Sequence, residues 1–308
     1  MTSVGIIGEC MVELFDTGDG LYRRTYGGDT LNTAVYLARC GGSDIDVHYA
    51  TILGDDSLSQ EMVDGWQAEG IRTDLVERLA GTVPGLYLIQ TDETGERSFL
   101  YWRNEAPAKK LFQTDNAEAL ETALMNRDWL YFSGISLAIL PPAGREKLFA
   151  LLDRFRARGG KVAYDGNYRP RLWPEEEARD AMVEAYRRCD LALPSYDDER
   201  ALWQDEDEQA VLGRLWSYGC TEIVLKCGTD PCWVISGGDQ QSFEVSAVTG
   251  VVDTTAAGDS FNAGYLASRT TGGDVPQAVA AGQAVAAQVI QQKGAIVPIL
   301  IPEIVKAS

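Results

Sequence analysis

The chain has 308 residues, of which 46 are acidic and 27 basic, so its formal net charge is −19. A field of that sign repels polyanions and argues against general nucleic-acid binding or attachment to anionic membranes, whereas a few well-placed cations can still hold a small anion. The single histidine, His48, and six scattered cysteines without a C-x-x-C pair argue against a zinc site or a histidine triad.

The N-terminus carries no targeting signal that we can identify. The first cation is Arg23, which excludes the basic start of a secretory signal, and no apolar run approaches the ~18 residues of a membrane span. We therefore expect a cytoplasmic protein.

Short apolar runs alternate with segments of helical period along the chain. Strands are predicted at 4–8, 47–52, 129–132, 161–164, 191–193 and 222–225. Helices are predicted at 144–158, 175–189 and 208–218, and glycines at 159, 160 and 219 stand where a helix should end. The alternation predicts βαβ units in an α/β fold, with a mostly parallel central sheet flanked by helices.

Residues 87–103 do not follow this alternation of strands and helices. Two alternating runs, 87–91 and 96–103, flank a turn that contains Gly95, which is the pattern of a β-hairpin. With residues 11–26 the hairpin would form a small β-sheet, a lid made of about residues 11–26 and 85–104. The alternative is an antiparallel extension of the main sheet. We expect residues 1–308 to form a single domain that carries this lid as an insertion.

Small residues precede a helical pattern in the stretch 253–265. Ala256, Ala257 and Gly258 leave successive backbone N–H groups uncovered at a helix N-terminus, which makes an anion hole. Asp259 falls in the first helical turn, where it could accept a hydroxyl proton while the amides hold a transferring phosphoryl group. The alternative is that Thr255 or Asp259 merely caps the helix.

This stretch resembles the C-terminal signature of the ribokinase-like (PfkB) carbohydrate kinases. Their N-terminal glycine signature is matched by residues 27–34, followed by 37–41 and the turn 53–56. The resemblance covers essentially the full chain. It implies the three-layer ribokinase-like fold with a β-lid, ATP as phosphoryl donor, Mg²⁺ as divalent cation and Asp259 as catalytic base.

Further segments resemble one branch of that family, the 2-keto-3-deoxygluconate kinases; they are 5–13, 28–33, 84–87, 101–106, 133–140 and 167–173. This likeness implies ATP-dependent phosphorylation of 2-dehydro-3-deoxy-D-gluconate to 2-dehydro-3-deoxy-6-phospho-D-gluconate. It also implies a set of residues that contact the sugar acid. The set is Gly28, Asp29, Asn32, Tyr87, Tyr101, Arg103 and Arg169.

The net charge of the chain supports the expectation that the arginines in that set bind the sugar acid. A sugar acid carries a carboxylate, so a protein at −19 needs local cations to hold it, and Arg103 and Arg169 are the candidates. Tyr87 and Tyr101, on facing runs of the hairpin, offer hydroxyls on a stiff platform whose closure would exclude water. The alternatives are surface ion pairs for the arginines and simple cross-strand pairing for the tyrosines.

The nucleotide site is implied by the resemblance. Adenine would lie near residues 282–286, on the penultimate helix. The residues expected around the ATP phosphates and ribose are Asn167, Arg169, Ser195, Lys226, Gly228, Thr229 and Gly258.

Ions and assembly are also implied by the resemblance. Many family members have an Asn-x-x-Glu element where this chain has Ser195 to Asp198, which leaves the water shell of Mg²⁺ open between Asp198 and Glu199. Some members bind a monovalent cation such as K⁺, to which Asp253 and the loop near 294–295 would contribute here. Lids of this family often pair across dimers, so a homo-oligomer is expected.

Two other functions stay open at this point, and a third is disfavoured. A kinase for ribose, fructose or a nucleoside would share the anion hole but would not need Arg103 as a carboxylate partner. A sugar-acid-binding regulator without turnover would not need Asp259. A dinucleotide-dependent oxidoreductase is disfavoured because no Gly-x-Gly-x-x-Gly follows the first predicted strand.

Overall fold

A computed structural model of the chain describes residues 1–18, 20–91 and 97–302. The strands are β1 (Thr2–Ile7), β2 (Met11–Gly18), β3 (Leu21–Gly27), β4 (Ile45–Gly54), β5 (Val76–Leu79), β6 (Leu86–Thr91), β7 (Arg97–Trp102), β8 (Trp129–Ser133), β9 (Lys161–Asp165), β10 (Leu191–Ala192), β11 (Glu222–Leu225), β12 (Cys232–Ser236) and β13 (Asp239–Phe243).

The helices are α1 (Asp29–Gly41), α2 (Ser57–Ala68), α3 (Ala117–Met125), α4 (Gly134–Ile139), α5 (Pro142–Ala157), α6 (Glu175–Tyr186), α7 (Tyr196–Trp203), α8 (Glu208–Ser217), α9 (Ala257–Thr270) and α10 (Val275–Val289), with a 3₁₀ turn at Pro107–Lys110. As predicted, glycines close two of them, since Gly159 follows α5 and Gly219 follows α8, both at positive φ. None of the helices in the described ranges is long and apolar enough to cross a bilayer.

Nine strands form the main sheet, in the order β13-β12-β11-β10-β9-β8-β1-β4-β5. All neighbours are parallel except β11–β12 and β12–β13, which are antiparallel. The six predicted strands correspond to β1, β4, β8, β9, β10 and β11, so the α/β class with a mostly parallel central sheet is confirmed.

The main sheet separates two hydrophobic cores. Adjacent residues of β1 point to opposite faces, so Ile6 packs in the core that contains Leu37 of α1 and Leu266 of α9, whereas Ile7 packs in the core that contains Leu148 of α5. Because both faces are covered, the strands read as continuous apolar runs. Since the sheet itself is apolar on both faces, polar side chains lie beyond the carboxyl ends of its strands, where open α/β sheets bind their ligands.

The second sheet has four strands in the order β3-β2-β6-β7 and is separate from the main sheet. It contains the predicted hairpin as the antiparallel pair β6–β7, and β2 joins β6 in parallel. The alternative of an extension of the main sheet is therefore wrong. The predicted turn around Gly95 lies outside the described residues.

Candidate active site

A cleft of about 1210 Å³ lies between the carboxyl ends of the main-sheet strands, the second sheet and the N-terminus of α9. It brings together almost the whole predicted site. The predicted residues that line it are Gly28, Asp29, Asn32, Tyr87, Tyr101, Arg103, Asn167, Arg169, Ser195, Lys226, Gly228, Ala256, Ala257, Gly258 and Asp259. Thr229 is exposed on the loop after Lys226 and is not among the described residues that line the cleft.

The second sheet contributes an aromatic wall. Tyr87 of β6 and Tyr101 of β7 stand directly opposite each other, with ring centroids 5.9 Å apart. The Tyr87 hydroxyl donates to Glu13, which also accepts from Thr25 at 2.7 Å. These two tyrosines thus form a cross-strand pair and also line the cleft.

Arg103 forms a buried ion pair with Glu9, the residue that follows Gly8 beyond the end of β1. The side chains are only 10% and 2% exposed, so this is not the surface ion pair considered as an alternative. Burial raises the pKa of Glu9, and the Arg103 charge opposes that rise. Glu9 was not singled out from the sequence, although a charged residue just after a buried strand is a signal for such a position.

Gly28 lets two segments of the chain approach closely. A Cβ atom at this position would lie 2.3 Å from the carbonyl oxygen of Glu9, so only glycine fits. The next residue, Asp29, opens α1 and accepts a hydrogen bond of 2.7 Å from Asn167 Nδ2. The glycine signature therefore fixes a carboxylate beside the β9 loop.

Asp259 lies in the first turn of α9 and accepts a hydrogen bond of 2.8 Å from Asn32 Nδ2. Burial, followed by the charge of Asp29, raises the pKa of Asp259 to about 7, against the opposing influence of Asn32 and Lys226. A carboxyl group that titrates near neutrality is well suited to accept a proton as a general base.

The N-terminus of α9 is not capped by a side chain. The N-cap is Ala256, which adopts a left-handed conformation at φ 60° and ψ 16°, a strained state for a residue with a Cβ. The Thr255 hydroxyl donates to Asp253 Oδ1 at 2.6 Å, and the N-cap position belongs to Ala256 rather than to Thr255 or Asp259. The Ala257 amide donates to Thr254 O at 3.1 Å, which leaves it less available to an anion than the amides of the next two residues.

Arg169 reaches the cleft beside the loop that precedes α7. Its Nη1 lies 3.1 Å from Asp198 Oδ1 in a pair that is partly exposed. Ser195 caps α7 by accepting from the Asp198 amide at 3.3 Å. Glu199 is fully buried and bonds Arg214 at 2.9 Å, so of the two residues considered for the Mg²⁺ shell only Asp198 lines the cleft.

The far end of the cleft is apolar. Ala280, Ala284, Ala286 and Ala287 of α10 line it, and of these Ala284 and Ala286 belong to the predicted adenine region. This helix is the last one in the described ranges rather than the penultimate one. Nearby, Asp253 Oδ2 accepts from the Gly294 amide at 2.9 Å, so the two segments predicted for a monovalent cation meet.

A polar network joins Lys226 and Asp165, which line the cleft, to Asn262, which does not; sequence reasoning predicted only the lysine. Asn262, one helical turn after Asp259, bonds Asp165 at 2.7 Å and Lys226 at 2.8 Å. Burial raises the pKa of Asp165, and Lys226 opposes that rise.

Across residues 1–18, 20–91 and 97–302, no group of three or more His, Cys, Asp or Glu side chains is arranged to hold a metal ion by itself.

Comparison with known proteins identifies the family of this chain. The model of the pfkB family of carbohydrate kinases matches residues 1–302. The 2-dehydro-3-deoxygluconokinase of Escherichia coli (strain K12) is 48% identical over 301 residues, which cover 96% of this chain and 97% of that protein. That of Dickeya dadantii (strain 3937) is 48% identical over 303 residues, with the same coverage of 96% and 97%.

A solved structure shares the fold. It is an Escherichia coli protein described as a ribokinase II, in complex with ATP and Mg²⁺, and it superposes with a TM-score of 0.82 at 22% identity over 96% of this chain and 94% of that one. The chain therefore belongs to the pfkB family of carbohydrate kinases.

Proposed function

We propose that this protein transfers the terminal phosphoryl group of ATP to the terminal hydroxyl of 2-dehydro-3-deoxy-D-gluconate, giving 2-dehydro-3-deoxy-6-phospho-D-gluconate. The observation that carries the proposal is Asp259, a base with a pKa of about 7 beside an uncapped helix N-terminus. The substrate is supported by relatives named 2-dehydro-3-deoxygluconokinase, 48% identical to this chain.

The transfer follows from the placement of Asp259. Its carboxylate accepts the proton of the sugar hydroxyl as the hydroxyl oxygen bonds to phosphorus, and the bond from phosphorus to the ADP oxygen breaks. The amides at the start of α9, chiefly those of Gly258 and Asp259, hold the charge of the transferring group. Ala256 and Ala257 shape this turn.

The sugar acid binds at the second sheet. A guanidinium has five N–H donors, so the pair with Glu9 leaves Arg103 with donors for the substrate carboxylate. Gly28, Asp29 and Asn32 approach the sugar from α1, and the hydroxyl of Tyr101, a side chain that is 44% exposed, is free of the Glu13 contact made by Tyr87. The second sheet acts as a lid that excludes water when it closes, within one domain.

ATP lies along the loops that follow β9, β10 and β11. We assign its phosphates and ribose to Asn167, Arg169, Ser195, Lys226 and the turn of Gly228 and Thr229, with adenine against α10. A monovalent cation near Asp253 and association of copies stay predictions from the family resemblance.

The donor set of the cleft fits Mg²⁺. Asp165, Asp198 and Asp259 all line the cleft, and burial raises the pKa of each of them. Carboxylate oxygens and phosphate oxygens are the hard ligands that Mg²⁺ prefers. Asp198 is the residue that would hold its water shell, and the bound ion would neutralise part of the charge of the phosphate chain.

The test is an ADP-release assay over a panel that contains 2-dehydro-3-deoxy-D-gluconate, fructose, ribose and a nucleoside. We expect turnover with the sugar acid only. Activity confined to the neutral compounds would overturn the substrate assignment.

Asp259→Asn tests the mechanism in the same assay. It should lower kcat by roughly 10²–10⁴, which is typical of the loss of a general base. Binding of the sugar acid, followed by calorimetry, should be largely kept because the amide preserves the size of the side chain. Near-normal turnover would remove Asp259 from the mechanism.

A further inference from the structure

Lys226 approaches the helix N-terminus at which phosphoryl transfer is proposed. A Cβ atom on Gly258 would lie 3.6 Å from Lys226 Nζ, so the ammonium group sits against the first turn of α9. It also opposes the rise in the pKa of Asp259. A compact cation at this place suits the charge of a transferring phosphoryl group.

A flexible lysine needs to be held to do this, and Asn262 supplies the contact. Lys226 Nζ donates to Asn262 Oδ1 at 2.8 Å and lies 3.5 Å from Asp165 Oδ1. An ammonium group has three donors, so these two contacts leave one for a ligand. Asn262 and Asp165 thus fix the position of the Lys226 ammonium group, which the flexible lysine side chain would not fix by itself.

The orientation of Asn262 is itself fixed. Its Nδ2 donates to Asp165 Oδ2 at 2.7 Å and to the Tyr131 hydroxyl at 3.2 Å. Because an ionised Asp165 can only accept, Nδ2 must face it and Oδ1 must face Lys226. Asn262 is fully buried, and Asp165 is only 4% exposed, so water does not compete for these bonds.

We propose that Asn262 is a positioning residue for phosphoryl transfer: together with Asp165 it fixes the Lys226 ammonium beside the N-terminus of α9, where that charge meets the transferring phosphoryl group. This inference rests on the proposed kinase function. It assigns to Asn262 a role that acts through Lys226 and involves no contact with the sugar.

A double-mutant cycle tests this coupling with the full-length protein in the ADP-release assay. Lys226→Met should lower kcat by roughly 10²–10³, the loss expected for one stabilising donor. Asn262→Ser should lower kcat by roughly 10- to 100-fold through misplacement of the lysine, with KM for the sugar acid little changed. In the double variant Asn262→Ser should add nothing to the effect of Lys226→Met.

The opposite result would overturn the proposal. If Asn262→Ser lowers kcat by the same factor with and without Lys226, Asn262 acts independently of the lysine. A purely structural role would lower Tm while leaving kcat per folded molecule unchanged. Ser268→Ala, a change at another buried polar residue of α9, is the matched control and should leave kcat at the wild-type value.

An exchange variant guards against poor folding of the single variants. Asp165→Asn alone places two amides face to face, and Asn262→Asp alone places two carboxylates face to face. The two changes together restore one donor, one acceptor and the original charge, so kcat should recover above that of either single variant. No recovery in a folded exchange variant contradicts the proposal. Failure of the kinase function itself would show separately, as a wild-type protein that releases no ADP with the sugar acid.

Discussion

The environment of Asp259 predicts an acid limb in the pH profile of the enzyme. Burial and the charge of Asp29 raise the pKa of Asp259 to about 7. Because the base must be ionised to accept a proton, kcat/KM should rise with pH and level off above this value. Asp29→Asn removes one negative charge but keeps an oxygen that can accept from Asn167. The limb should therefore move toward lower pH.

The size of the effect can be bounded from the causes of the shift. Burial is the larger cause and is unaffected by the substitution, so we expect a displacement of roughly one pH unit, equivalent to about 1.4 kcal/mol of repulsion between the two carboxylates. At pH 6 about a tenth of wild-type molecules would carry ionised Asp259, against about half in the variant.

The measurement is kcat/KM for the sugar acid between pH 5.5 and 8.5, with both substrates below saturation so that the profile reports on the free enzyme. Asp64→Asn, on the exposed side of α2, is the matched control and should leave the limb in place. The quantity compared is the pH at which the limb lies, not the plateau value of kcat/KM. The plateau can change for another reason, because Asp29 also lines the cleft.

Two results would refute this reasoning. A wild-type profile that is flat through pH 6 to 8 would show that Asp259 is not the titrating base. A limb that stays fixed or moves to higher pH in Asp29→Asn would show that the carboxylate on α1 does not set the ionisation of Asp259.

Other substitutions test the sugar site and the packing. Arg103→Ala should raise KM for the sugar acid much more than KM for ATP, whereas Arg24→Ala on the same sheet should change neither; equal effects on both KM values would contradict the carboxylate role. Arg214→Ala leaves a fully buried glutamate unpaired and should lower the free energy of unfolding in urea by about 3–5 kcal/mol. Gly264→Ala places a Cβ 2.7 Å from a carbonyl of α10 and should destabilise by roughly 1–3 kcal/mol. Gly213→Ala meets no atom within 4 Å and should stabilise by about 0.5–1 kcal/mol.

The central strands of the main sheet could be predicted because they are buried on both faces. The hairpin β12–β13 was missed, since β13 is a mostly exposed edge strand with the polar sequence Asp-Gln-Gln-Ser-Phe. A local signal was nevertheless present. Gly237 and Gly238, both at positive φ, form the two-residue turn that joins the strands, and a Gly-Gly pair between two runs is typical of a hairpin.

The site was predictable where function depends on local sequence and not where it depends on long-range partners. Asp259 and the small residues before it are adjacent in the chain, so their chemistry could be inferred. The partner of Arg103 is Glu9, 94 residues away, and the amide of Asn262 gains its meaning only from Asp165 on another element. Pairing of this kind is decided by tertiary packing, which periodicity does not report.

The connectivity of the second sheet has a consequence for folding. Its central pair, β2 and β6, is parallel, and it brings Glu13 to Tyr87 across 74 residues. Closing so long a segment is entropically costly until β4, α2 and β5 have settled on the main sheet and brought the ends together. We therefore expect the aromatic wall of the cleft to form late, after β4, α2 and β5. Because β2 and β3 precede β6 in the chain, we expect their hairpin to form before the four-stranded sheet is complete, and the wall of the cleft to close only when β6 pairs with β2.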